Sequence, residues 1–247
     1  SRESLDVFEE SKEGNVYTIT VDVARGQGND YSAFTVFDVT EVPYKIVAKY
    51  RDNMIAPLHF PNIINIIGRR YNYAYILVEI NDIGSQVADV LHHDLEYENL
   101  YSTSWYGRHG QQLSSGAKKD SVFGVRTTKS MKKIGCSNLK ALIEENKLLF
   151  TDYDIISELT TFVSSGESYS AEEGSHDDLV ITMVLFAWLV DQQYFKDLSN
   201  QNIRDNLYKN QLTQLDDMTT PFGIIDNGLH NKEYEIDSDG TVWETVS

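Results

Sequence analysis

The 247-residue chain has one cysteine, four prolines and no apolar run long enough to cross a bilayer. The lone Cys136 excludes an intramolecular disulfide framework and suits a reducing compartment. The longest apolar run, residues 179–190, falls well short of the roughly 20 residues a membrane span needs, so it predicts a buried helix and no membrane partner. No signal peptide opens the sequence. Gly-x-x-x-x-Gly-Lys-[Ser/Thr] is also missing: Gly110, Gly116 and Lys118 have the wrong spacing, so no ATP site is expected. The six histidines show no zinc-like spacing.

Positive charge is scarce overall, with a net charge of −17, but it is unevenly placed. Residues 1–16 and 190–247 together hold −10 of that charge. Between positions 105 and 135 the balance inverts: Arg108, Lys118, Lys119, Arg126, Lys129, Lys132 and Lys133 face only Asp120. A local basic excess is what a phosphate-tracking surface requires, whatever the global sum. A solvated lysine loop would have the same composition.

What the chain does have is a core. Hydrophobic residues make up 41% and aromatics 11%. Residues 17–23, 33–39 and 45–50 are rich in β-branched and aromatic side chains and read as strands. Their short links, one carrying Gly26 and Gly28 for the turn and the other Pro43, favour an antiparallel meander. Helical spacing follows over 58–71, a fourth strand at 75–80, a helix from Asp82 to His93 and a fifth strand near 99–104. Further helices are expected at 137–147, 153–164 and 176–194. Three antiparallel strands followed by strand–helix alternation predict an α/β fold: a mixed five-stranded sheet with helices on both faces.

Three acids stand in unusual places within that pattern. Asp22 lies inside Tyr17-Thr-Ile-Thr-Val-Asp-Val23, Glu79 ends Tyr75-Ile-Leu-Val-Glu-Ile80, and Asp178 heads the apolar run. Burying carboxylates together is costly unless a cation neutralises them, and hard oxygen ligands suit Mg²⁺ or Mn²⁺. Each acid also has a plainer account. A strand-end acid can be a solvated terminus, and Ser175-His176-Asp177-Asp178 fits a helix-capping pattern.

The pieces Val21-Asp-Val-Ala-Arg-Gly-Gln-Gly-Asn-Asp-Tyr31, Val78-Glu-Ile-Asn81, Gly135-Cys-Ser-Asn-Leu-Lys140 and Ala171-Glu-Glu-Gly-Ser-His-Asp-Asp-Leu-Val180 carry a resemblance. Over residues 15–195 the chain resembles the nuclease domain of the large terminase subunit of T-even-like tailed bacteriophages, in the ribonuclease-H-like superfamily. The resemblance implies an endonuclease that cuts double-stranded viral DNA during packaging, with Asp22, Glu79 and Asp178 as catalytic metal ligands and Asp177 as an auxiliary one. Two divalent cations about 4 Å apart, bridged by Asp22, would activate water and stabilise the leaving oxygen. Arg25, Arg126, Lys129, Lys132 and Lys133 are the candidate DNA contacts. The implied partners are duplex DNA, an ATPase motor domain not found in this sequence, the portal protein and the small terminase subunit. The implied location is the host cytoplasm, at the procapsid. Residues 1–14 would then be a linker remnant and 196–247 an acidic C-terminal extension. The stretch from Trp105 to Val122 is longer than the family pattern leads one to expect.

Two other classes share parts of this pattern. A junction resolvase or transposase core would use the same carboxylates, and a non-catalytic nucleotide-binding or portal-docking module would use none of them.

Overall fold

The computed structural model describes residues 4–28, 30–106, 110–114, 121–165, 168–193, 195–197 and 200, with two strands beyond, at 234–236 and 242–244. The chain divides into two compact units, residues 1–206 and 207–247. Among the described residues no helix is long and apolar enough to cross a membrane.

The first unit opens with β1 (Leu5–Val7), β2 (Tyr17–Asp22), β3 (Ser32–Asp38) and β4 (Tyr44–Asp52). As expected, β2, β3 and β4 form an antiparallel meander, with Val21 opposite Phe34 and Phe34 opposite Tyr50. After helix α1 (Phe60–Arg70), β5 (Tyr75–Val78) lies parallel to β2, pairing Val21 with Val78. Helix α2 (Gly84–Asp89) follows and runs on as a π-helical turn over Val90–Asp94.

The predicted fifth strand near 99–104 is not continuous. Leu100 bridges to Ile76, and the chain then leaves the sheet edge for a separate three-stranded sheet. That sheet consists of β6 (Ser102–Trp105), β7 (Gln111–Leu113) and β8 (Val122–Phe123), with β6 in the middle. The chain rejoins the edge at Val125, which bridges to Glu79. Gly124 makes the return possible: its φ is +93°, and a Cβ there would meet the Val78 carbonyl oxygen at 2.5 Å. Strands β6, β7 and β8 therefore interrupt one edge of the main sheet.

Helix α3 (Lys129–Glu144) starts eight residues before the predicted 137, because Thr128 caps it by accepting the Met131 amide at 3.2 Å. Strand β9 (Leu148–Leu149) then pairs with the start of β4. Helix α4 (Tyr153–Thr161) leads into the antiparallel pair β10 (Phe162–Ser165) and β11 (Ser168–Ala171), and α5 (Asp178–Asp191) closes the layer. The main sheet runs β1-β4-β3-β2-β5 with β9 also on β4, so it has six strands rather than the expected five. Four of these were expected; the two unexpected strands are β9 and Leu5–Val7, the latter inside the stretch read as linker and pairing with Val7 opposite Ala48.

Alternation along the strands builds two cores. Tyr17, Ile19, Val21, Phe34 and Val36 face one way and pack with α1 and α2 residues such as Phe60, Ile64 and Val87. Ala33, Phe37 and Leu77 face the other way, towards α5, where the Phe37 and Phe186 rings stack at 3.8 Å. Helix α5 is buried from Asp178 to Leu189, between the sheet and helices α3 and α4. A helix apolar all round can sit only there. Helices thus cover both faces, as predicted.

The second unit contains an antiparallel pair, β12 (Tyr234–Ile236) and β13 (Val242–Glu244). The rest of the predicted acidic extension from residue 201 onward lies outside the described residues.

Candidate active site

Strand parity sets the first two acids. Asp22 shares the face of Thr18 and Thr20, and Glu79 the face of Leu77, so both project from the α5 side of the sheet. Parallel register makes them neighbours: Val21 pairs with Val78, and the Glu79 amide donates to the Val21 carbonyl at 2.9 Å. Burial, then the charge and hydrogen bonding of Glu79 beside it, push the Asp22 carboxyl well above the usual carboxylate range. Asn81 donates to Glu79 Oε1 at 3.1 Å and to the Thr127 carbonyl at 3.3 Å, which orients Glu79 against the loop before α3. Helix α2 comes up directly behind, where a Cβ on Gly84 would lie 1.8 Å from the Glu79 carbonyl oxygen.

The third acid arrives from α5. The Thr20 hydroxyl donates to the Thr182 carbonyl at 2.7 Å, and the Thr35 and Thr182 hydroxyls are 2.7 Å apart. Asp178 is one helical turn before Thr182, about 6 Å along the axis. Asp22 is two strand residues beyond Thr20, about 6.6 Å along β2. The two carboxylates therefore meet at the same end of the sheet. The Tyr31 amide donates to Asp178 Oδ1 at 3.2 Å, while Oδ2 is buried and accepts no hydrogen bond among the described residues. Burial first, then the negative charge of Glu158, push the Asp178 carboxyl up to about 7.

The capping account of Asp178 does not hold. The amides of Leu179 and Val180 go to Glu158 Oε2, at 2.8 and 3.2 Å, and Asp177 occupies the N-cap without capping. Asp177 Oδ2 instead accepts the Ala171 amide at 3.2 Å and lies 4.0 Å from Lys132 Nζ. His176 packs edge-on to Tyr31 at 4.9 Å, with Nδ1 3.7 Å from Asp178 Oδ2.

Asp22, Asp178, Tyr31, Arg25, Gln27, Asp30 and Asp82 line an open cleft of about 260 Å³. The donor set fits a hard divalent cation: oxygen ligands only, an unpartnered buried carboxylate oxygen, and adjoining acids that are otherwise disfavoured as anions. Asp22, Glu79 and Asp178 do not all converge within 4.8 Å, as Asp6, Asp152 and Asp154 do. That tighter trio already surrounds a cation, because buried Lys49 is ion-paired with all three. It is a structural ion-pair cluster at the β1–β4 edge, and a metal there would have to displace the ammonium.

The basic residues divide. Arg25 donates from Nε and from a terminal nitrogen to the two oxygens of Asp82, at 2.7 and 2.8 Å, so its guanidinium fork is engaged at the cleft rim. Lys132 is partly buried beside Asp177, with its ammonium 5.7 Å from the Phe162 ring centre. Arg126, Lys129 and Lys133 are exposed, and they follow directly from Val125, the residue bridged to Glu79. Arg108, Lys118 and Lys119 lie outside the described residues.

Sequence reasoning missed Asn81, Tyr31 and Glu158. Asn81 and Tyr31 stood within the quoted motifs with no role assigned. Glu158 reads as an ordinary polar position in α4, and only tertiary packing buries it.

A family model described as the terminase RNaseH-like domain matches residues 19–187. Among solved structures, the large terminase nuclease of thermophilic phage G20c with bound magnesium matches with a TM-score of 0.57 and 22% identity, over 75% of this chain and 86% of that one. The same nuclease with bound zinc matches with a TM-score of 0.53 and 21% identity, over 77% and 89%. The nuclease domain of the Thermus phage P74-26 large terminase matches with a TM-score of 0.52 and 21% identity, over 74% and 83%. At these identities the structural likeness speaks for the fold, and the family model covers the sheet except β1 and the start of β2, together with the three acids and most of α5. The chain belongs to the terminase ribonuclease-H-like domain family.

Proposed function

We propose that this domain is a divalent-cation-dependent endonuclease that cuts double-stranded viral DNA during genome packaging, by attack of water on a phosphodiester. The observation that carries this reading is the placement of Asp22, Glu79 and Asp178 at one end of the sheet, with Asp178 Oδ2 buried and unpartnered among the described residues. Support also comes from related nucleases solved with magnesium, cobalt and zinc. A pair of Mg²⁺ or Mn²⁺ ions bound there would supply Lewis acidity to the water and to the phosphate oxygens.

The chain's own residues do the rest. Asp22 lies centrally, able to serve both its neighbour Glu79 and Asp178. Asn81 fixes the Glu79 carboxylate, and the Tyr31 amide fixes that of Asp178. Arg126, Lys129 and Lys133 extend from the Glu79 edge as contacts for the DNA backbone, which carry affinity without base identity. By the resemblance, the domain works at the procapsid with an ATPase motor, the portal and the small terminase subunit.

Conversion of supercoiled plasmid to nicked and linear forms tests the reading. Cleavage with Mg²⁺ or Mn²⁺ and none with EDTA is expected. Equal cleavage in EDTA, or none with any divalent ion, would overturn it.

A further inference from the structure

The first three amides of α5, on Asp178, Leu179 and Val180, precede its first helical hydrogen bond, which Ile181 donates to the Asp177 carbonyl at 2.7 Å. An Asp at the N-cap ordinarily accepts the second or third of these amides with its own side chain. Asp177 holds that position and does not do so. Glu158, reaching over from α4, takes both through Oε2. Its other oxygen accepts from Arg51 at 2.9 Å, and Glu158 is only 5% exposed. The Arg51 guanidinium in turn lies 4.7 Å above the Tyr31 ring, and the Tyr31 amide holds Asp178. One buried carboxylate therefore links β4, the start of β3 and the first turn of α5.

We propose that Glu158 is a positioning residue of the active site: by capping α5 from outside the helix, it leaves Asp177 turned from those amides to the Ala171 amide, and Asp178 free to face the cleft. The proposal rests on the reading of Asp178 as a cation ligand. The positive end of the helix dipole attracts any nearby carboxylate. Without Glu158, the Asp already at the N-cap can rotate onto the vacant amides. The helix then survives with a substitute cap, while the acids at its head change direction. Loss of Glu158 should therefore appear more strongly in cation binding than in stability.

The test is calorimetric titration of the full chain with Mn²⁺ alone, joined to plasmid-nicking kinetics. Glu158→Ala should bind Mn²⁺ at least about 10-fold more weakly, the scale of losses seen when a group supporting a metal ligand is removed. Its kcat should fall in parallel while KM for DNA stays within about twofold. Val184→Ala, buried further along α5, is the control for simple destabilisation and should bind Mn²⁺ like the unaltered protein. Glu158→Gln keeps the volume and one acceptor oxygen but turns an amide donor on Arg51 or on the helix. It should also weaken binding, and it decides the matter if Glu158→Ala does not fold. Unchanged Mn²⁺ affinity in the Glu158 variants, alongside its loss in Asp178→Asn, would overturn the proposal and leave the nuclease reading standing. An equal loss in Val184→Ala would reduce Glu158 to a structural role. Undiminished Mn²⁺ binding by Asp178→Asn would remove the reading itself, and this proposal with it.

Discussion

The Thr20 hydroxyl donates to the Thr182 carbonyl at 2.7 Å, and this contact between β2 and α5 sets where Asp178 stands over Asp22. The neighbouring Thr35 hydroxyl has Thr182 Oγ1 as its partner. Thr182→Val keeps the shape but leaves the Thr35 hydroxyl buried without that partner. It should lower stability by about 1–3 kcal/mol, read by urea denaturation, while kcat falls little, because the Thr20 bond to the Thr182 backbone carbonyl is retained.

Removing a buried charge should have the opposite effect on stability. Asp178→Asn retains an oxygen for the Tyr31 amide while discarding a carboxylate that burial disfavours. At pH 8 without divalent ions the variant should melt at or above the temperature of the unaltered domain. DNA cleavage should be abolished. A large fall in Tm would mean that the carboxylate is needed for the fold instead.

Cation affinity should depend on pH with a defined sign. Asp178 is pushed up to about 7, and Asp22 is also raised. Both carboxyls hold protons more tightly folded than unfolded, so their contribution to apo-domain stability is full below about pH 3.8 and is lost as pH rises towards 7. A bound cation must displace those protons. Mn²⁺ affinity measured by calorimetry should therefore rise between pH 5.5 and 7.5, with proton release visible as a dependence of the heat on buffer ionisation enthalpy. A pH-independent affinity would contradict this.

Gly84→Ala would force a methyl group onto the Glu79 carbonyl oxygen, which lies 1.8 Å from the required Cβ position. Overpacking of this kind costs about 1–3 kcal/mol. Because the displaced residue is Glu79, kcat should fall further than stability alone accounts for, which a comparison of melting and nicking at 25 °C would show.

The exposed basic side chains should bind DNA phosphates. Replacing Arg126, Lys129 and Lys133 with Ala should weaken binding to duplexes of any sequence. The slope of log K against log salt should become shallower by about 0.9 for each phosphate no longer neutralised. Lys132→Ala should change that slope less, since its ammonium lies by Asp177 and Phe162. Equal slopes in all variants would place the DNA track elsewhere.

The parts legible in the sequence were those set by local periodicity. The β-branched run from Tyr17 to Val23 read as a strand and is β2, and the unbroken run from Leu179 identified α5 as the buried helix. Less visible were elements too short to have a period. Leu5–Val7 has three residues and β8 two, and both exist because a neighbouring edge accepts them. Lysines hid the start of α3, whose amphipathic face begins with the isolated Met131. Hardest to see was Glu158, because a cap supplied from another helix leaves no pattern near the amides it serves.

The central claim is that Asp22, Glu79 and Asp178 hold divalent cations for DNA cleavage. Anomalous diffraction from crystals of the domain soaked in Mn²⁺ tests it most directly. Anomalous density is expected among these three carboxylates, including a peak within bonding distance of Asp178 Oδ2. Density at Asp6, Asp152 and Asp154 alone, or none beside Asp22 at saturating Mn²⁺, would contradict it.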